Sequence, residues 1–311
     1  MEQTAMAFVT SVLAAAVAAG TPILYAALGE VLTERSGVLN LSLEGTMLVG
    51  AVSGFLVTVR TGSLAAGVVA AAVAGGLIAA LHAFLTVTLK VNQVVSGLSL
   101  TLFGTGVSGY LGKPVIGVPT PVSFKPVAVP GLARIPVLGD MLFNQDLLVY
   151  VSYVLVAALW FFFYRTRPGL HMQSVGESPE TADALGINVF ATRYLYTIVG
   201  GMLTGIGGAY LSLAYAPSWI EYMTAGRGWI AIALVIFAVW NPLRAMLGAY
   251  LFGGIDALGF RIQVLGAIIP SFFLKMMPYI FTIAVLIFAT ARSRNYRIGA
   301  PAALGVPYER E

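Results

Sequence analysis

Side-chain chemistry needs nucleophiles, bases or metal ligands at workable spacing, and this sequence supplies few. It contains no cysteine and two histidines, His82 and His171. His82 stands alone in an apolar run and His171 lies in a basic stretch. Neither has a His, Cys or carboxylate partner at ligand spacing, so no metal centre or thiol chemistry is expected. No Gly-x-Ser-x-Gly motif is present. There is no Walker A motif either, because Gly112-Lys113 runs into Pro114 and lacks the earlier glycine. ATP hydrolysis on this chain is therefore not expected, no cofactor is implied, and a membrane enzyme would lack an assembled catalytic set.

What remains is polarity in apolar surroundings. Glu30, Glu44 and Asp256 fall in or beside apolar runs, where a charge is expensive and should face a cavity or a partner. Two readings stay open for Glu30 and Glu44. They are proton or sodium relays, or they lie near a membrane face and are solvated or paired with Arg35. Asp256 could pair with Arg261. Asn40, Ser42, Glu44, Asn92, Gln93 and Ser96, with Ser99 nearby, are the candidates for lining a solute pathway. Such groups can hydrogen-bond a neutral polyhydroxylated or amide-bearing solute at lower cost than a buried charge. The plain alternative is helix–helix or same-helix hydrogen bonding.

These residues must be positioned by membrane helices. The 311-residue chain is 59% hydrophobic and 10% charged, with a mean hydropathy of +0.89. A soluble domain carries about a quarter charged residues. Apolar runs of about 20 residues recur along the chain, which implies an all-α polytopic membrane protein rather than a barrel. The net charge of +4 reads as an orientation signal and not as nucleic-acid binding.

In chain order, the first span starts at Met6 and is expected to kink or divide at Gly20-Thr21-Pro22. Residues 34–45 are too apolar for an aqueous loop yet too polar for a plain helix, which is how a broken helix lining a cavity looks. Spans follow at 46–59, 64–89 and 91–111. Residues 112–146, with six prolines, form an external loop. After a span at 147–164 comes the polar stretch 165–193, then spans at 194–213, 228–239, 243–260 and 270–290. That gives roughly nine spans in one permease-type domain over 1–311. Gly201 and Gly205 suggest close helix contact, and Trp229 and Trp240 an interfacial belt. Residues 44–62 and 227–244 align as a weak inverted repeat, an arrangement typical of transporters.

Lys and Arg set the orientation. Arg35, Lys90, Arg165, Arg167, Arg193, Arg244, Arg292, Arg294 and Arg297 fall on one side, against Arg60, Lys113, Lys125, Arg134, Arg227 and Arg261 on the other. The 165–193 loop is thus expected to be cytoplasmic and the N-terminus external. It carries a small helix of its own. Ser178 is placed as N-cap and Pro179 in the first turn, Glu180 and Asp183 suit the helix dipole, and Gly186 is a ready stop.

With these segments in view, ERSGVLNLSLEGTMLVGA (34–51), GESPETADALGINV (176–189) and GRGWIAIALVIFAVWNPLRAMLGA (226–249) resemble the inner-membrane permeases of bacterial ABC importers of the branched-chain amino acid, ribose and nucleoside type. The resemblance covers nearly the whole chain. Relatives in the ribose branch have an extra leading span and a Gly-Ile-Asp-Leu-Ser motif. Here Gly37-Val38-Leu39-Asn40-Leu41-Ser42 stands in its place and the N-terminus is short, which is closer to the nucleoside branch linked to basic membrane lipoproteins.

The resemblance implies that Gly176, Glu177, Glu180, Ala182, Ala184, Leu185, Gly186 and Ile187 form a cytoplasmic segment that docks on a separate ATPase subunit. It implies a second permease chain, a paralogue or an identical copy, and an external lipoprotein that delivers solute. Nucleosides are the expected solute, in the bacterial inner membrane. Ribose-like sugars or branched-chain amino acids are the alternatives, and an ion-coupled secondary transporter using Glu30 or Glu44 is the competitor from another class.

Overall fold

A computed structural model describes residues 2–264, 271–292 and 299–310. The chain folds as helices: α1 (Glu2–Arg35), α2 (Leu43–Thr61), α3 (Leu64–Ala83, continued by a π turn to Thr88), α4 (Gln93–Gly112), α5 (Leu138–Leu142), α6 (Leu147–Arg165), α7 (Arg167–Glu177), α8 (Pro179–Ala184), α9 (Val189–Tyr210, continued by a π turn to Tyr215), α10 (Arg227–Phe237), α11 (Pro242–Val264) and α12 (Ser271–Arg292). A two-residue antiparallel pair, β1 (Val127–Ala128) with β2 (Asn144–Gln145), pins the 112–146 loop.

Among the described residues, seven helices are long and apolar enough to cross a membrane. The expected count of nine is not reached. The run at 228–239 folds as α10, which has only 11 residues, about 16 Å by helix rise. That is about half of a hydrocarbon core of roughly 30 Å. The expected span at 270–290 is helix α12, although Pro270 lies outside the described residues, as do Arg294 and Arg297 of the basic tail.

The first span differs from expectation. α1 runs unbroken for 34 residues with Pro22 inside it. Thr21 Oγ1 donates back to the Val17 carbonyl at 2.8 Å. Gly20 lets α11 approach so closely that a Cβ there would lie 2.9 Å from the Ala249 carbonyl carbon. Side-chain and neighbouring-helix contacts thus carry the helix across a residue that breaks an isolated one.

Helices α1, α2 and α9 form the buried centre, built on Leu24, Leu28, Met47, Phe55, Ala209 and Leu213. α3, α4, α6 and α11 surround it and turn Leu77, Leu102, Val154 and Leu247 outward. Packing in the centre depends on small residues, as in membrane helix pairs generally. A Cβ on Gly205 would overlap the Ala71 carbonyl oxygen and lie 3.1 Å from Gly75 Cα, while one on Gly50 would lie 2.6 Å from Gly205 Cα. Gly205 is therefore where α2, α3 and α9 meet.

The contacts sort the loops into two ends. At one end Arg35 reaches Gln173, Lys90 reaches Glu309, and Arg193 reaches Val306. At the other, Ile116 and Pro119 bridge to Trp219 and Ser218, and Asp146 accepts from Tyr210.

Candidate functional site: a helix break and the 165–193 segment

Two helices begin inside the bundle and meet at Glu44, in the first turn of α2. Its Oε1 accepts hydrogen bonds from Thr224 Oγ1 at 2.5 Å and Gly226 N at 2.8 Å, and its Oε2 accepts from Gly228 N at 2.7 Å. Those donors belong to the start of α10. One carboxylate thus sits at the positive ends of two helices and satisfies N–H groups that have no intrahelical partner. Gly226 takes φ +82°, and a Cβ on Gly228 would fall 2.5 Å from Glu44 Cα, so glycine is required on both sides of the joint.

The break between α1 and α2 is buried, and its backbone is almost fully accounted for, as irregular chain at membrane depth must be. Leu39 N donates to Gln93 Oε1 at 2.6 Å, and Asn40 N donates to Glu30 Oε1 at 3.0 Å. Thr101 Oγ1 donates to the Leu41 carbonyl at 2.9 Å. Asn40 Oδ1 accepts from Ser42 N at 2.9 Å and from Ser42 Oγ at 2.6 Å. The Leu39 carbonyl meets His82 Nε2 at 3.0 Å, and His82 Nδ1 meets Ser96 Oγ at 2.9 Å. A carbonyl can only accept, so Nε2 carries the proton, and in the neutral ring Nδ1 accepts from the Ser96 hydroxyl.

Four of the six residues named as pathway candidates meet in this network. Asn40, Ser42, Gln93 and Ser96 are buried in the network, Glu44 is half-buried, and Asn92 is exposed. Asn92 caps α4, with Oδ1 accepting from Val94 N and Val95 N. His82, which the sequence shows alone in an apolar run, belongs to the same network with Thr101, while Thr224 serves Glu44. Glu30 does not pair with Arg35. Its Oε1 serves Asn40, and its carboxyl interacts with that of Glu34. Asp256 pairs with Arg227 at 2.7 Å rather than with Arg261, whose guanidinium lies over the Phe8 ring.

Trp240 is not an interfacial anchor. It is buried, its Nε1 donates to Glu34 Oε2 at 2.5 Å, and its carbonyl accepts from Arg35 Nη2 at 3.2 Å. The end of α10 is thereby fixed to the end of α1. Trp229 is partly exposed.

The 165–193 stretch holds two helices, where sequence suggested one. Thr166 caps α7 by accepting from Gly169 N at 3.2 Å. Ser178 precedes α8, but its hydroxyl bonds Thr181 Oγ1 at 2.7 Å instead of a backbone N–H. α8 ends in a Schellman motif. Ile187 N donates to the Ala182 carbonyl at 3.0 Å and Gly186 N to the Asp183 carbonyl at 2.8 Å, with Gly186 at φ +84°.

The eight docking candidates divide by facing. Gly176 and Ala182 are buried and Ile187 is half-buried. Glu177, Glu180, Ala184, Leu185 and Gly186 face outward, and Leu185 is 76% exposed. Beside Leu185 lies a groove of about 710 Å³, lined by Leu170, His171, Ile187 and Leu195 among others. No group of three or more His, Cys, Asp or Glu suited to a metal ion occurs among the described residues.

Comparison with known proteins follows the same outline. The family described as "Branched-chain amino acid transport system / permease component" matches residues 11–290. A Haloferax volcanii protein, provisionally named a glucose ABC transporter permease, TsgC13, is 43% identical over 98% of this chain and 99% of its own. The nucleoside ABC transporter permease NupC of Lactococcus lactis is 36% identical over 93% of both chains. The guanosine ABC transporter permease NupQ of Bacillus subtilis is 34% identical over 92% of both. A solved inward-facing ABC transporter, provisionally of metal-chelate type, shares the fold. Its TM-score is 0.51 at 15% identity, over 89% of this chain and 84% of that one.

Proposed function

The chain belongs to the family of branched-chain amino acid transport system permease components, and on that premise we propose that it moves nucleosides inward as the membrane subunit of an ATP-binding-cassette importer. It is a multi-pass membrane protein and a non-catalytic subunit. Permeases of this kind work with an ATP-hydrolysing subunit and a substrate-binding component. The observation that carries the nucleoside reading is identity of 36% and 34% to nucleoside and guanosine permeases, over more than nine-tenths of each chain.

In this reading the protein sits in the cytoplasmic membrane of a bacterium. A second permease chain, a paralogue or another copy, completes the pathway. An external lipoprotein delivers solute to the 112–146 and 214–227 side. Residues 176–187 dock on the ATPase at the opposite side. The solute passes the break along Asn40, Ser42, Glu44, Asn92, Gln93 and Ser96, and the existing hydrogen bonds hold that break in shape between transport events. The half-membrane helix α10 supports this, since discontinuous helices mark the pathway in many transporters.

A sugar is the second reading, favoured by 43% identity to the glucose-type relative. Both solutes present hydroxyls, and only the nucleoside presents a base. Uptake by the complete importer with labelled guanosine, competed with unlabelled glucose, separates them. Guanosine uptake unaffected by excess glucose is expected; glucose uptake with no guanosine uptake rejects the nucleoside reading.

Asn40→Leu should reduce that uptake at least about tenfold while the chain still inserts and assembles. The substitution leaves Ser42 N and Oγ without their acceptor, at a cost of about 1–3 kcal/mol. Uptake at the parent rate would remove Asn40 from the pathway.

A further inference from the structure

Residues 299–310 lie across the docking end of the bundle and contact α7, α8, the start of α9, Gly37 and Lys90. Ala303 N donates to the Gly176 carbonyl at 2.9 Å, and Ala302 N to Glu177 Oε2 at 3.3 Å, both at the end of α7. Tyr308 OH donates to Asp183 Oδ2 at 2.9 Å, and Arg310 Nε lies 3.1 Å from the same oxygen, so the segment also holds α8. Gly305 N donates to the Gly37 carbonyl at 3.3 Å, at the start of the helix break. Lys90 Nζ pairs with Glu309 Oε1 at 2.7 Å, in the turn before Asn92 and Gln93.

Two features separate these contacts from a loosely lying end. Ala303 and Tyr308 are buried, and the Tyr308 side chain packs in a cluster with Val175, Ala182 and Val189. Arg193 is a buried cation that donates to the Val306 carbonyl at 3.0 Å. Its Nη2 would lie 3.0 Å from a Cβ on Gly37, so it stands between this segment and the break. The hydrogen bond from the Lys90 ammonium also holds the Glu309 carboxyl below the usual carboxylate range.

We infer that the 299–310 segment is a positioning strap that ties α7 and α8 to the helix break, both directly through Gly37 and through Lys90 and the neighbouring Gln93. α8 has no direct hydrogen bond to residues 36–42 among the described contacts, so the strap supplies a hydrogen-bonded route from α8 to the break, beside the direct packing of Gly176 in α7 against Arg35 and Gly37. The inference rests on the docking role proposed for 176–187, and extends it by naming what carries the movement inward.

The chain has no cysteine, so a single Leu41→Cys is a clean reporter at the break. In the complete importer, ATP binding should change its maleimide labelling rate about fivefold or more, the lower range of typical coupling between sites. Removing residues 299–311 should bring that change below about twofold while the ATPase is still recruited in pull-down. Tyr308→Phe with Arg310→Gln, which keeps the ring packing, should reduce the change without altering recruitment, and serves if the deletion does not insert. A fivefold response in either altered chain overturns the strap. So does loss of recruitment, which would make 299–310 part of the docking surface. Failure of the docking role shows elsewhere, as normal recruitment by Leu185→Asp with the strap intact.

Discussion

Glu44→Ala is expected to destabilise the protein by about 3–6 kcal/mol, because each unsatisfied donor inside a membrane costs on the order of one to several kcal/mol. The donors at risk are Thr224 Oγ1, Gly226 N and Gly228 N, all served by this one side chain. Gly226 N and Gly228 N stand at the start of α10 and donate to Glu44, whereas Arg227 N between them donates to the Thr224 carbonyl of the preceding turn. Glu44 is half-buried, so water can relieve part of the loss, which sets the lower bound. Glu44→Gln keeps one good acceptor but not the charge opposite two helix dipoles, and should cost about 1–2 kcal/mol. Thermal unfolding in detergent reads the difference. A Glu44→Ala protein within about 0.5 kcal/mol of the parent, the usual range for an unremarkable surface change, would mean that the joint between α2 and α10 is held by something else.

Leu185→Asp should weaken ATPase binding about 100-fold, or about 2.8 kcal/mol, the scale of an apolar hot spot replaced by a charge. The fold itself should be unaffected, since Leu185 is 76% exposed beside the apolar groove. Gly186→Pro acts differently. Proline cannot take φ +84° and has no N–H to give to the Asp183 carbonyl. The Schellman turn is then lost at a local cost of about 3 kcal/mol or more. Recruitment should fail in both, with unfolding temperature unchanged only in Leu185→Asp. Pull-down of the ATPase at the parent level by Leu185→Asp would place the docking surface away from α8.

The two predictions concern the parts of the molecule that differ most in how far sequence reveals them. The α8 region is local: Pro179 opens the helix and Gly186 closes it, as their backbone preferences require. Only the side chain of Ser178 departs, turning to Thr181. α7 is harder to see in the sequence although Thr166, Arg167 and Pro168 carry a cap-and-proline start, because the helix behind them is short and polar on average. The break at 36–42 was legible as polarity in an apolar run. What fills its hydrogen bonds was not. The Leu39 carbonyl is served by His82, 43 residues away, and Glu44 by Thr224, 180 residues away. No spacing rule connects such residues; only the packing of α3, α4 and α10 around the break does.

Span counting failed for a related reason. Hydropathy reads α10 as one more crossing, whereas its start is buried against Glu44 and its end against Arg35 and Glu34. Closeness in sequence offers Arg261 as a partner for Asp256. Arg227, positioned at the foot of α10, reaches it instead. The glycines of α9 were read correctly as a contact surface, since a missing side chain is itself the signal for close helix approach.

The central claim is that movement at a separate ATPase drives solute past the break in this chain. Guanosine uptake into proteoliposomes tests it most directly, with the chain reconstituted alone or together with its partner permease, ATPase and binding protein. Uptake only in the complete assembly, dependent on ATP and indifferent to proton or sodium gradients, is the predicted result. Uptake by this chain alone, driven by either gradient, would contradict it and would return the buried Glu30, beside Glu34, to the role of an ion relay.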